Sequence, residues 1–134
     1  MSIIATESQT VGIDVSQAWM DIALRPAGTY WRLANQEQGW TELMEQLKDL
    51  SISLVVVEST GGMERGIVQA LQQAGISVAV INPKRARDFA KASGRLAKTD
   101  RIDAAVLAHF GQAMEPLPKP LSSKAQTALS DLVN

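Results

Sequence analysis

The sequence predicts an α/β domain built on a mixed five-stranded sheet with helices on both faces. Three observations predict it. Residues 11–34 carry three short strand patterns joined by tight turns, as in an antiparallel meander. Two later runs, Leu54–Val57 and Val78–Ile81, are continuous and rich in β-branched residues, as strands buried on both faces are. Amphipathic helical patterns separate and follow these runs. A meander followed by strand–helix units gives a mixed sheet covered on two sides.

Each element has a local reason. Val11 to Asp14 is an apolar run ending in an acid, and Val15–Ser16–Gln17 makes a turn. From Ala18 to Leu24, Met20, Ile22 and Leu24 alternate with Trp19, Asp21 and Ala23, so the strand has two different faces. Pro26, Ala27 and Gly28 turn the chain into a third strand, Thr29 to Ala34. Asn35 is the expected N-cap of a helix over 36–50, with Gln38 in the capping-box position and Trp40, Leu43, Leu47 and Leu50 on its apolar face. A helix from about Met63 to Ala74 stops at Gly75. Asn82 followed by Pro83 starts another, which ends near Gly94. Thr99 is the expected cap of a further helix with Ile102, Val106, Phe110 and Ala113 along one stripe.

Residues 1–115 therefore read as one domain. Pro116, Pro118 and Pro120 read as a stiff linker. Ser122 or Ser123 opens a last helix whose stripe of Ala125, Leu129 and Leu132 has no partner in the preceding domain, as at the start of a coiled coil.

Composition narrows the function classes. The 46% hydrophobic and 20% charged residues suit a globular domain rather than a disordered chain. No apolar run approaches the roughly 20 residues of a membrane span. The first ten residues lack the basic and apolar regions of an export signal. The absence of cysteine excludes disulfides and thiolate zinc sites and fits a cytoplasmic location. The net charge of −1 hides a local asymmetry: Lys84, Arg85, Arg87, Lys91, Arg95, Lys98 and Arg101 are seven of the 13 basic residues. Only Asp88 and Asp100 oppose them in that stretch. Such a stretch suits nucleic-acid backbone, or simply forms a solvated helix face.

The acids carry the chemistry. Asp14 and Glu58 each end an apolar strand. Buried and unpaired, such an acid costs several kcal/mol, and two on neighbouring strands repel. A divalent cation resolves both problems, and open α/β sheets place their sites at the carboxyl ends of strands. The plainer reading is that each acid caps a turn. Asp100 and Asp103, at i and i+3, would share a helix face, or merely stabilise the positive end of that helix. His109 reads as packing or surface.

At this point the sequence resembles a known family. VGIDVSQAWMDIAL, VVVESTGGM and INPKRARDFAKASGRLAKTDRIDAAVLA resemble, in order, the N-terminal domain of IS110-family (DEDD) transposases. The resemblance implies an RNase H-like fold of RuvC type and places the family's four acids on Asp14, Glu58, Asp100 and Asp103. It further implies Mg²⁺, or Mn²⁺, held by those acids for phosphodiester cleavage and strand transfer of an insertion sequence. DNA and a guide (bridge) RNA are the implied partners, and the full enzyme is a homo-oligomer, a dimer or tetramer, in a bacterial or archaeal cytoplasm. The family's catalytic serine belongs to a second domain; Ser122, Ser123 and Ser130 are not that nucleophile, so this chain alone is expected not to transfer strands. Rival readings are a non-catalytic nucleic-acid-binding or assembly module, a Holliday-junction-resolvase-like nuclease, and an actin-like kinase, which would need a second lobe.

Overall fold

The computed structural model describes residues 7–94 and 102–121. Strands β1 (Ser8–Val15), β2 (Trp19–Arg25) and β3 (Tyr30–Ala34) form the expected meander. Helix α1 (Glu37–Leu47) leads to β4 (Ser51–Glu58), and α2 (Arg65–Gln73) leads to β5 (Val78–Ile81). Helices α3 (Pro83–Ala92) and α4 (Ala104–Met114) follow. The sheet order is β3-β2-β1-β4-β5, with β4 parallel to both β1 and β5. This is the mixed five-stranded sheet that the sequence predicts.

Alternation along the strands divides the core in two. On one face, Val11, Ile13, Met20, Ile22, Val55 and Val57 pack with Leu43 and Leu47 of α1 and Ile67 and Leu71 of α2. On the other, Leu54, Val56, Ala79 and Ile81 meet Ala86 and Ala90 of α3 and Val106, Leu107 and Phe110 of α4. Phe110 is fully buried there, so its truncation to alanine would cost about 3 to 5 kcal/mol.

Helix α4 packs closely on the sheet at Gly12 and Gly111. A Cβ on Gly12 would stand 2.1 Å from the Ala104 carbonyl oxygen and 2.5 Å from the Ala108 nitrogen. One on Gly111 would stand 2.6 Å from Val56 Cγ2. The two missing side chains let helix and strand backbones approach, which brings the start of α4 down beside the end of β1.

Several local expectations hold in detail. Asn82 caps α3, its Oδ1 accepting from the Lys84 N–H at 2.7 Å with Pro83 next in line. Gly75 turns the chain after α2 with a φ of 79°. His109 packs edge-on against Phe89, 4.9 Å between ring centres.

Others need correction. Asn35 does not cap α1; Gln36 does, without a side-chain bond. The Asn35 amide instead donates to the Ser16 and Met63 carbonyls at 2.9 and 3.1 Å, and its oxygen accepts from Trp40 Nε1 at 2.9 Å. Those three bonds tie the β1–β2 turn and the α2 approach to α1 and leave nothing for capping. Helix α4 begins at Ala104, not after Thr99. Asp103 is its N-cap, extended at φ −114° and ψ 176°, with Oδ1 accepting from Val106 N–H at 2.9 Å. Asp103 thus stands before the helix rather than on a helical face. Thr99 lies outside the described residues, as do Ser122, Ser123, Ala125, Leu129, Leu132 and the expected coiled-coil start. The proline segment is docked along its described part. Lys119 N–H donates to the Val78 carbonyl at 2.8 Å, and the buried Gln72 amide donates to the carbonyls of Lys119 and Pro120.

Candidate active site

The two strand-ending acids come together. Ile13 of β1 pairs with Val57 of β4, so one residue further along both strands Asp14 stands beside Glu58. Both point to the face opposite Ile13 and Val57, the face that α3 and α4 cover. Asp14 and Glu58 are half-buried. Because Gly12 lets α4 settle on β1, the N-cap Asp103 stands at the same end of the sheet, exposed. The positive end of a helix dipole is a favourable place for negative charge. Three of the four expected acids therefore share one edge, at the carboxyl ends of β1 and β4. Asp100 lies outside the described residues. Among the described residues, no three His, Cys, Asp or Glu side chains form a group that would hold a metal ion by themselves.

A fifth acid joins them. Asp21 is the direct antiparallel partner of Asp14, and directly opposed like charges on one sheet face repel. Arg32 on β3 offsets this with a two-pronged pair to Asp21, Nε to Oδ1 at 2.7 Å and Nη2 to Oδ2 at 3.2 Å. The hydrogen bond to Asp21 and its charge hold Arg32 more firmly protonated than usual, and Asp14 adds to this. Tyr30 is pushed upward by what burial it has, then by the charge and hydrogen bond of Asp21, and also by Asp103. The hairpin and the start of α4 thus feel one common negative field.

The loop after Glu58 is shaped by a residue the sequence reading passed over. Glu64 Oε1 accepts from Thr60 N–H and Thr60 Oγ1, both at 2.9 Å, and from Gly62 N–H at 3.1 Å. Burial alone would raise the Glu64 pKa, but these bonds outweigh it and hold the carboxyl below its ordinary value. The signal available was an acid two residues after Gly61-Gly62 and just before a helix. For Asp21 the signal was its place on the polar face of β2, but only the register sets it opposite Asp14.

The basic stretch starts beside this edge, because Ile81 pairs with Glu58 and α3 follows at once. Its members differ. Lys84 pairs with Asp88 at 3.0 Å, and the Arg85 guanidinium lies 5.0 Å over the Phe110 ring. Arg87 is half-buried and engaged, whereas Lys91 is exposed. Arg95, Lys98 and Arg101 lie outside the described residues.

This fold and edge have solved counterparts. Thermus thermophilus RuvC in complex with Holliday junction substrate superposes with a TM-score of 0.60 at 15% identity, over 86% of this chain and 100% of that one. A second Thermus thermophilus RuvC structure gives 0.50 at 17% identity, over 91% of this chain and 89% of that one. These likenesses establish the RuvC-type, RNase H-like fold. No curated protein matches the chain. Residues 11–134 match the family model for IS110-type DEDD proteins, described as a transposase, and the chain belongs to that family.

Proposed function

We propose that this chain is the metal-dependent catalytic domain of a DNA transposase, with Asp14, Glu58, Asp100 and Asp103 as its metal-holding acids. The observation that carries the reading is the side-by-side placement of Asp14 and Glu58 on one face of two parallel strands, with Asp103 at the same end. The donor set is all carboxylate oxygen, which suits Mg²⁺ or Mn²⁺. Asp103 fits as well, since its cap uses Oδ1 and a carboxylate has two oxygens. Bound there, the metal would supply Lewis-acid stabilisation of the charge that builds on a phosphate and its attacking and leaving oxygens.

The chain's own residues do the rest. Arg32 neutralises Asp21, so the cluster tolerates its crowding before any ion arrives. Glu64 fixes the 60–62 loop next to Glu58. Lys84, Arg85, Arg87, Lys91, Arg95, Lys98 and Arg101 would contact the DNA backbone, positioning the strand without reading its sequence. By family resemblance, residues 1–115 would be this catalytic domain and the strand-transfer serine would come from a second domain. A guide RNA, a homo-oligomer and a cytoplasmic setting complete the reading by family resemblance. The fold likeness to RuvC favours a resolvase-like nuclease as the second reading, which uses the same acids on a branched substrate.

Thermal melts test the site. Mg²⁺ or Mn²⁺ should raise the Tm of the wild type over EDTA by mass action, and Asp14→Asn should abolish that rise. Without metal, Asp14→Asn should melt as high as the wild type or higher, because one like charge has left the cluster. A metal effect that survives Asp14→Asn, or an apo variant that unfolds, would sink the assignment.

A further inference from the structure

The face of the β2–β3 hairpin next to the acids carries more than the Arg32–Asp21 pair. Trp19, Asp21 and Ala23 share one face of β2, and Tyr30, Arg32 and Ala34 lie opposite them on β3. Helix α4 covers the inner part of this face, where Ala23 packs against Ala104 and Ala108. Beyond it the surface is open: Trp19 is 46% and Tyr30 60% exposed. The Arg32 guanidinium lies 5.3 Å over the Trp19 ring while its fork holds Asp21. The strip therefore offers an aromatic ring, a planar cation and a second aromatic ring, with the cation's charge already balanced. At its far end Tyr30 becomes the wall of a cleft of about 400 Å³ floored by Ala105 and Ala108 of α4.

From this we infer that the Trp19–Arg32–Tyr30 strip is a stacking platform for unpaired bases of single-stranded DNA. Core packing does not explain it, since the apolar residues of the hairpin's core side (Met20, Ile22, Leu33) are buried on the opposite face. A plain phosphate site does not fit either, because Asp21 already occupies the guanidinium and Asp14 adds negative charge. What the strip presents is flat, polarisable surface, and every nucleobase has a flat face that stacks on aromatic rings and guanidinium planes. Asp14 is the cross-strand neighbour of Asp21, so a base held on this strip keeps its own backbone near the acidic edge. The inference rests on the transposase reading for the choice of DNA as occupant.

Binding of a labelled single-stranded DNA of about twelve nucleotides, followed by fluorescence anisotropy in EDTA, tests it. Trp19→Ala should weaken binding roughly tenfold, the loss of stacking on one base, and Trp19→Phe should restore most of it. An oligonucleotide with abasic sites should bind wild type and Trp19→Ala equally weakly. Because Trp19 is 46% exposed and its contact with Arg32 is a surface cation–π pair, Trp19→Ala should melt only slightly below the wild type and Trp19→Phe should match it. Undetectable binding by the wild type, unchanged affinity in Trp19→Ala, or an abasic strand that binds as tightly as the intact one would overturn the platform. So would RNA of the same sequence binding more tightly through Trp19. Sedimentation in which Trp19→Ala alone dissociates a dimer would assign the strip to a second copy of the chain and overturn it as well. The metal melts above are a separate readout. Metal stabilisation without Trp19-dependent binding removes the platform and leaves the acidic site; Trp19-dependent binding without metal stabilisation does the reverse.

Discussion

Gly12 lies directly beneath the Ala104 carbonyl, so close that a Cβ would stand 2.1 Å from its oxygen. That approach sets where α4 begins and therefore where Asp103 stands relative to Asp14. Gly12→Ala should push the helix outward, because the obstacle is backbone rather than a flexible side chain. Overpacking of this kind costs up to about 3 kcal/mol. A chemical-denaturation series should show that loss together with a weaker metal response than a core variant of equal destabilisation. A Gly12→Ala protein as stable as the wild type would mean that α4 does not rest on β1 as described.

Asp103 has one observed role and one proposed role, and mutation can separate them. It caps α4 through Oδ1, and we assign its charge to the metal site. Asn caps as well as Asp, while Ala does not cap, at a cost of about 1 kcal/mol. Asp103→Asn should thus keep the apo Tm, and Asp103→Ala should lower it. Both should lose metal-dependent stabilisation. If Asp103→Asn keeps the full metal response, Asp103 is a cap and nothing more.

Most of this arrangement was legible in the sequence, and the rest was hidden for identifiable reasons. The β-branched runs and the alternation of β2 dictated the strands, and two apolar strands ending in Asp14 and Glu58 pointed to one sheet edge. Sequence could not reveal that Asp21 pairs with Asp14, because register depends on a turn geometry that a one-residue slip would invert. Asn35 misled because an Asx residue before a helix caps by default, and here its oxygen accepts from Trp40 of α1 while its amide donates to the Ser16 and Met63 carbonyls. The start of α4 misled for the opposite reason. Thr99 and Asp103 both have capping side chains, and only the fold shows that Asp103 caps α4.

The basic residues of α3 should not respond alike. The Arg85 guanidinium of an exposed residue lies over the buried Phe110 ring, a cation–π contact worth about 0.5 to 1 kcal/mol. Arg85→Ala should therefore lower stability slightly as well as weaken DNA binding. Lys91→Ala should leave stability unchanged and reduce the salt dependence of binding by about one phosphate contact, a change of about 0.9 in logarithmic slope on duplex DNA. Paired urea melts and salt titrations check this. A Lys91→Ala slope identical to that of the wild type would place the backbone contacts elsewhere.

Glu64 should give the domain an acid-sensitive loop. Its carboxyl is held below its ordinary pKa of 4.5 by the Thr60 and Gly62 donors, which outweigh the effect of burial. The unfolded chain therefore binds a proton more readily than the folded one, and the folded state gains stability as Glu64 ionises. That contribution is complete above the unfolded value and is lost as pH falls through the lower folded one. Glu64→Gln keeps an oxygen that can accept from Thr60 and Gly62 but carries no charge at any pH. It should melt lower than the wild type at neutral pH, since hydrogen bonds to an ionised acceptor are stronger than neutral ones. Below pH 4.5 the difference should shrink as wild-type Glu64 takes up its proton. Melting curves of both proteins from neutral pH down to about pH 3, below the ordinary carboxylate value, measure it. A gap that stays constant across that range would show that the charge on Glu64 contributes nothing to the loop.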